Sequence, residues 1–309
     1  MPDPQLPNLI IAGVNKAGTT SLYAYLAQHP AIGASAIKET CHFLPLRYGE
    51  PMPGIEAYRE QFKAVTDKPV RFESTPGYFY GGQRLIDGLC ESLGDDLKII
   101  LIFREPVSRL VSFFNFKKST LELRDDLTLA GYFRWCQALE NEDLRQRLNN
   151  KMFGLQGGKY ADYLPPWIET FGDRLKVLFT DDLNRHPREV LRQVCTFVGV
   201  DPEFVERIDL ARSNKSTHFR LAGVQRLALS MNKAGESFWR AHPKLKRSLR
   251  DIYYKINGRP FEPADDPETI QALHAFYEPY NARLADQLRA AGYHDLPGWL
   301  TPQPKGGWA

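Results

Sequence analysis

The stretch Asn8-Leu9-Ile10-Ile11-Ala12-Gly13-Val14-Asn15-Lys16-Ala17-Gly18-Thr19-Thr20-Ser21-Leu22-Tyr23-Ala24-Tyr25-Leu26 holds a strand, a turn and a helix in immediate succession. Residues 8–12 are a short apolar run that predicts a buried strand. From Ser21 the spacing predicts a helix that Pro30 stops. The glycine-containing turn between them sets backbone N–H groups and the positive end of a helix dipole at one point, which favours an anion. A phosphate-like group is expected there.

The unit recurs. Lys98-Ile99-Ile100-Leu101-Ile102-Phe103 is a second continuous apolar run, and Pro106 suits the first turn of a helix carrying Leu110, Val111, Phe113 and Phe114. Leu175-Lys176-Val177-Leu178-Phe179 and a helix over 188–198 make a third pair. Apolar strands alternating with amphipathic helices predict an α/β fold, a central parallel sheet flanked by helices, with ligands at the carboxyl ends of the strands. Residues 119–150 read as a helical insertion beside the active site. Residues 211–267 read as loops and short helices, 268–291 as a C-terminal helix, and 1–309 as a single domain.

Composition narrows the classes. The net charge of +3 is spread rather than blocked, which argues against a nucleic-acid surface. Cys41, Cys90, Cys136 and Cys195 lie far apart, so reduced buried thiols are expected rather than a zinc site or a disulfide framework. No run approaches the ~20 apolar residues of a membrane span. With no signal-peptide core ahead of the first loop, a cytoplasmic enzyme without a membrane span is expected.

In the first turn, Lys16 precedes Gly18 by two residues and Thr19 follows that glycine directly, whereas a Walker A lysine comes after the last glycine. The spacing argues against a kinase-type loop. The second strand ends in Arg104-Glu105-Pro106-Val107-Ser108-Arg109-Leu110-Val111-Ser112. An arginine at a strand tip can grip a phosphate through two parallel N–H bonds, which lysine cannot do, and the Ser112 hydroxyl, two turns into the helix, can face the same oxygens.

These two motifs together resemble the sulfotransferases that use 3′-phosphoadenosine-5′-phosphosulfate (PAPS), in the branch of the heparan sulfate sulfotransferases and their bacterial relatives. The likeness covers most of the chain. It implies that Lys16, Ala17, Gly18, Thr19, Thr20 and Ser21 embrace the 5′-phosphosulfate, that Arg104 and Ser112 bind the 3′-phosphate, and that adenosine 3′,5′-bisphosphate is the product. It also includes Gly158-Lys159-Tyr160, Trp167, Phe171 and the terminal Phe276-Tyr277, Tyr280 and Leu284, which bear on fold more than on mechanism.

Sulfuryl transfer needs an in-line nucleophile, a base and a cation where charge builds on the leaving phosphate. Lys16 is the natural cation, and no metal is required. Lys38-Glu39-Thr40-Cys41-His42-Phe43 is similar to the family's lysine–glutamate segment, which places Glu39 as base and His42 as a second candidate should the register slip by one. Glu73 matches a further acidic position, where it would orient the acceptor or brace Lys16. Some relatives carry lysine after that glutamate, and this chain has Ser74. Lys215 and Arg220 are expected to close over the nucleotide as a late basic loop does in relatives. The acceptor stays open among a glycan, a lipid and a small metabolite, through a hydroxyl or an amine. A P-loop nucleotide kinase or NTPase and a non-catalytic nucleotide-binding module are the competing readings.

Overall fold

The computed structural model describes residues 3–139, 146–210, 217–219, 223–226, 258–260 and 266–301. Five strands, β1 (Leu9–Gly13), β2 (Ile32–Ala34), β3 (Val70–Ser74), β4 (Lys98–Phe103) and β5 (Leu175–Phe179), form one sheet in the order β2-β3-β1-β4-β5. Every neighbouring pair is parallel. All five residues of β1 are buried, as a central strand covered on both faces requires.

The order fixes where a ligand can sit. From β1 the chain moves out to β2, returns through β3, and then crosses to β4 on the other side of β1. The crevice beyond the carboxyl ends of β1 and β4 is therefore a topological switch point, where open parallel sheets bind ligands. The β1–β4 register shifts between Ile11 and Gly13, so β1 departs from the ladder where the lysine loop begins.

Helix α1 (Thr19–Leu26) follows β1, and α2 (Gly82–Leu93) precedes β4. Helix α3 (Pro106–Ser119) has Pro106 in its first turn, and the Glu105 carboxylate caps it by accepting from Val107 N at 2.8 Å and Ser108 N at 2.6 Å. Within 119–150 lies α4 (Leu129–Gln137), and a 3₁₀ stretch, Arg147–Met152, runs past the end of that range. Leu129, Tyr132 and Cys136 of α4 join Leu110 and Phe114 of α3, together with Leu273 and Tyr277 of the long helix α5 (Pro267–Ala290), in a second apolar cluster beside the main core.

The segment 211–267, expected as loops and short helices, contains an antiparallel pair of strands, Thr217–Phe219 with Gly258–Pro260. Lys215 and Arg220 lie outside the described residues. All four cysteines are free, and burial pushes the thiols of Cys41, Cys136 and Cys195 up to about 11, where little thiolate exists at neutral pH. Among the described residues no helix is long and apolar enough to cross a membrane.

Candidate active site

The lysine loop is tied down by its backbone. Val14 N donates to Ile102 O at 3.0 Å, and Thr180 Oγ1, just past β5, donates to Ala17 O at 2.6 Å with Phe103 O 3.1 Å away. Gly18 precedes α1 with φ +99°, a conformation that favours glycine, and a side chain there would also need Leu183 Cδ2, 3.3 Å away, to give slightly. No side chain caps α1. The first-turn amides of Thr19, Thr20 and Ser21 thus stand at the helix terminus with its dipole, the arrangement that receives a phosphate-like anion.

Arg104 leaves the tip of β4 and reaches across the crevice, where Nη1 donates to the Lys16 carbonyl at 3.2 Å. Its own carbonyl accepts from Tyr160 Oη at 2.8 Å, and the Tyr160 ring stacks on Phe103 at 4.7 Å. Because both Glu105 oxygens serve the α3 terminus, the neighbouring carboxylate is committed elsewhere. Burial draws the Arg104 guanidinium below its usual value, yet arginine stays charged throughout the physiological range. Ser112 is half-buried on α3, three residues after the fully buried Arg109 and so on the same side of the helix.

Lys16 is half-buried, with φ +70°. Its Nζ lies 4.4 Å from the centroid of the Phe116 ring. Burial is the main cause that lowers its pKa to about 8; Arg104 and, more weakly, Lys38 push the same way, and Glu39 opposes them. Lys16, Arg104, Lys38, Glu39 and Phe116 therefore form one neighbourhood, drawn from the β1 loop, the β4 tip, the segment after β2, and α3.

The three acid–base candidates separate. Glu39 N donates to Ser74 O at 3.1 Å, which moors the residue beside β3. Its side chain is half-exposed and accepts from Lys38 Nζ at 2.6 Å. It is the carboxylate that acts electrostatically on Lys16 and is also open to an incoming acceptor.

His42 is buried, stacked on Tyr58 with centroids 4.4 Å apart, and its Nε2 has no protein partner. Burial lowers its pKa, so the ring is neutral and faces the core. Its burial against Tyr58, not its protonation, weighs against the second-candidate role.

Glu73 is also revised. It is wholly buried, and four hydroxyls occupy its carboxylate: Thr40 and Thr75 on Oε2, both at 2.7 Å, and Tyr58 and Tyr78 on Oε1, both at 2.9 Å. Burial raises its pKa against the pull of those hydroxyls. It neither braces Lys16 nor faces an acceptor; it clamps the segment bearing Glu39 to β3.

Sequence reasoning passed over Lys38, Phe116, Thr180 and the Tyr160 hydroxyl. Thr180 had a usable signal, a polar residue just past the carboxyl end of a core strand. Phe116 had one too, four residues after Ser112 and so on the same side of α3.

A sulfotransferase domain family model matches residues 6–246. The heparan sulfate glucosamine 3-O-sulfotransferase 3A1 of Mus musculus is 27% identical over 273 residues, covering 83% of this chain and 64% of that protein. The bifunctional heparan sulfate N-deacetylase/N-sulfotransferase 1 of Caenorhabditis briggsae is 24% identical over 267 residues, covering 83% of this chain and 30% of that protein. The chain thus spans less than two thirds of the length of either relative. A solved sulfotransferase from Alicyclobacillus acidocaldarius shares the fold, with TM-score 0.63 and 23% identity over 95% of this chain and 98% of that one.

Proposed function

We propose that this chain, which belongs to the sulfotransferase domain family, transfers a sulfuryl group from PAPS to a hydroxyl or amine of a glycan acceptor. The observation that carries the reading is the pairing of two cationic segments at one crevice, the uncapped α1 terminus with Lys16 and the Arg104 guanidinium bonded to the Lys16 carbonyl.

The residues fit such a donor. The amides and hydroxyls of Thr19, Thr20 and Ser21 suit the phosphosulfate, and Arg104 with Ser112 suits the separate 3′-phosphate. When bound, PAPS supplies an activated sulfuryl group on a phosphate leaving group. Lys16 holds positive charge where that leaving group would develop negative charge. Glu39 holds an exposed carboxylate oxygen ready to take the acceptor's proton. Thr180 and Tyr160 keep the loop and Arg104 in register with one another.

The glycan assignment is supported by the names of the relatives, which act on heparan sulfate. A kinase or NTPase is disfavoured by the placement of Lys16 ahead of Gly18. The deciding experiment is calorimetry of adenosine 3′,5′-bisphosphate against ATP, followed by transfer of labelled sulfate from PAPS to a panel of heparan-type oligosaccharides. Tight bisphosphate binding with labelled product supports the reading; equal affinity for ATP, or no labelled product, defeats it.

A further inference from the structure

A lone exposed phenylalanine is ordinary on a protein surface. What sets Phe116 apart is its neighbour. Phe116 is 43% exposed, and the Lys16 ammonium lies over its ring, 4.4 Å from the centroid. Lys16 starts from a backbone in the left-handed region, on a loop held by Thr180 and Arg104. The loop is thus fixed independently of the ring, and the side chain lies against α3.

The charges around that ammonium explain why an aromatic face is useful there. Arg104 from β4 and Lys38 from the segment after β2 repel it, while Glu39 attracts it but is itself paired with Lys38 at 2.6 Å. From α3, Lys117 also approaches the Phe116 ring, at 5.8 Å, but its ammonium is buried and bonded to Glu122 at 2.7 Å. A carboxylate at position 116 would hold Lys16 more firmly and would also cancel the charge that the site exists to supply. A ring quadrupole attracts a cation without neutralising it.

We propose that Phe116 is a positioning residue for Lys16: its ring seats the ammonium, partly stripped of water, before the donor arrives. The lysine then meets developing negative charge already oriented, without first reorganising its hydration shell. The lysine's task rests on the sulfuryl-transfer reading; its seat on Phe116 does not.

The test uses Phe116→Leu, which keeps apolar bulk but removes the quadrupole, and Phe116→Tyr, which keeps an aromatic face. In the full-length free protein, Lys16 is titrated through the NMR shift of its labelled ε-carbon, assigned by loss of the signal in Lys16→Arg. Phe116→Leu should lower the titration midpoint, because the charged form loses its partner while the burial persists, and Phe116→Tyr should restore it. With PAPS, turnover of Phe116→Leu should fall about 2- to 5-fold, the rate equivalent of an exposed cation–π contact. The affinity for adenosine 3′,5′-bisphosphate should hold.

A Lys16 midpoint in Phe116→Leu that is unchanged or raised, in a variant with wild-type thermal stability, overturns the proposal. If the wild-type protein binds no bisphosphate, the sulfuryl-transfer reading fails, and the titration still decides whether Phe116 seats Lys16.

Discussion

Arg104 Nη1 donates to the backbone carbonyl of Lys16 across 3.2 Å, so the Arg104 segment and the lysine loop are joined directly. The bond spans 88 positions of sequence and connects the tip of β4 to the loop after β1. Under the proposed function a change at Arg104 acts twice, removing a ligand for the 3′-phosphate and one of the bonds that hold the Lys16 loop.

Arg104→Ala should weaken adenosine 3′,5′-bisphosphate binding by roughly 1.5–3 kcal/mol, the scale of a charge-assisted hydrogen bond. Turnover with saturating PAPS should fall as well, because the Lys16 carbonyl loses its donor. Calorimetry and steady-state kinetics on the same preparation check both. Unchanged affinity for the bisphosphate would remove Arg104 from the 3′-phosphate site.

Lys16→Ala should lower turnover far more than cofactor affinity, since charge grows on the leaving oxygen only as its bond to sulfur breaks. The pH dependence is signed. With the free lysine titrating near 8, its charged form is lost above that pH, so kcat/KM for PAPS should hold below it and decline above it. Lys16→Arg keeps its charge at every accessible pH and should abolish the decline, at a lower plateau. A profile flat to pH 10 in the wild-type protein contradicts this assignment.

Glu39→Gln keeps the shape and removes the proton acceptor, so acceptor sulfation should drop on the order of 10²–10⁴-fold with PAPS binding nearly unchanged. His42→Ala is the control. With its ring buried against Tyr58, it should affect stability and leave the chemical step intact in the folded fraction. Full sulfation by Glu39→Gln and none by folded His42→Ala would reverse the two roles.

Glu73→Gln should destabilise the fold by about 1–3 kcal/mol, because the amide's NH₂ cannot accept from the hydroxyls that the carboxylate satisfies. Burial raises the folded pKa above the unfolded one, so this group's contribution to stability is complete below the unfolded pKa and is lost as pH rises through the folded value. The variant has no proton to lose and should show less decline from pH 4 upward. Urea unfolding across that range, beside bisphosphate affinity as a control, measures both. A folded variant of wild-type stability that has lost only acceptor transfer would return Glu73 to the catalytic group.

Strands β1, β4 and β5 were legible because each is a continuous apolar run, the pattern that burial on both faces of a parallel sheet imposes. Strand β2 was not, since three residues, Ile32-Gly33-Ala34, carry no periodicity. Strand β3 misleads, because Arg71 and Glu73 alternate with apolar residues as though one face met water, whereas all five residues are buried. Arg71 spends its guanidinium on the Leu6 and Lys68 carbonyls, and Glu73 accepts from four hydroxyls. Helix α2 opens on Gly82 behind Gly81, without a capping side chain to announce it.

The sequence by itself determined the α/β class, the lysine loop, the Arg104 segment and the membership they imply, because each strand–helix unit and each motif is a local pattern that can be read from neighbouring residues. The tertiary structure alone set Glu39, His42 and Glu73 in different surroundings, Glu39 half-exposed and the other two buried. All three are acid–base side chains in promising local contexts, and what separates them is burial, a property set by Tyr58, Tyr78 and the strands beneath rather than by their own neighbours in sequence. It alone also brought Phe116 to Lys16, a hundred positions away, because a helix face and a loop meet only after β1 and β4 have paired.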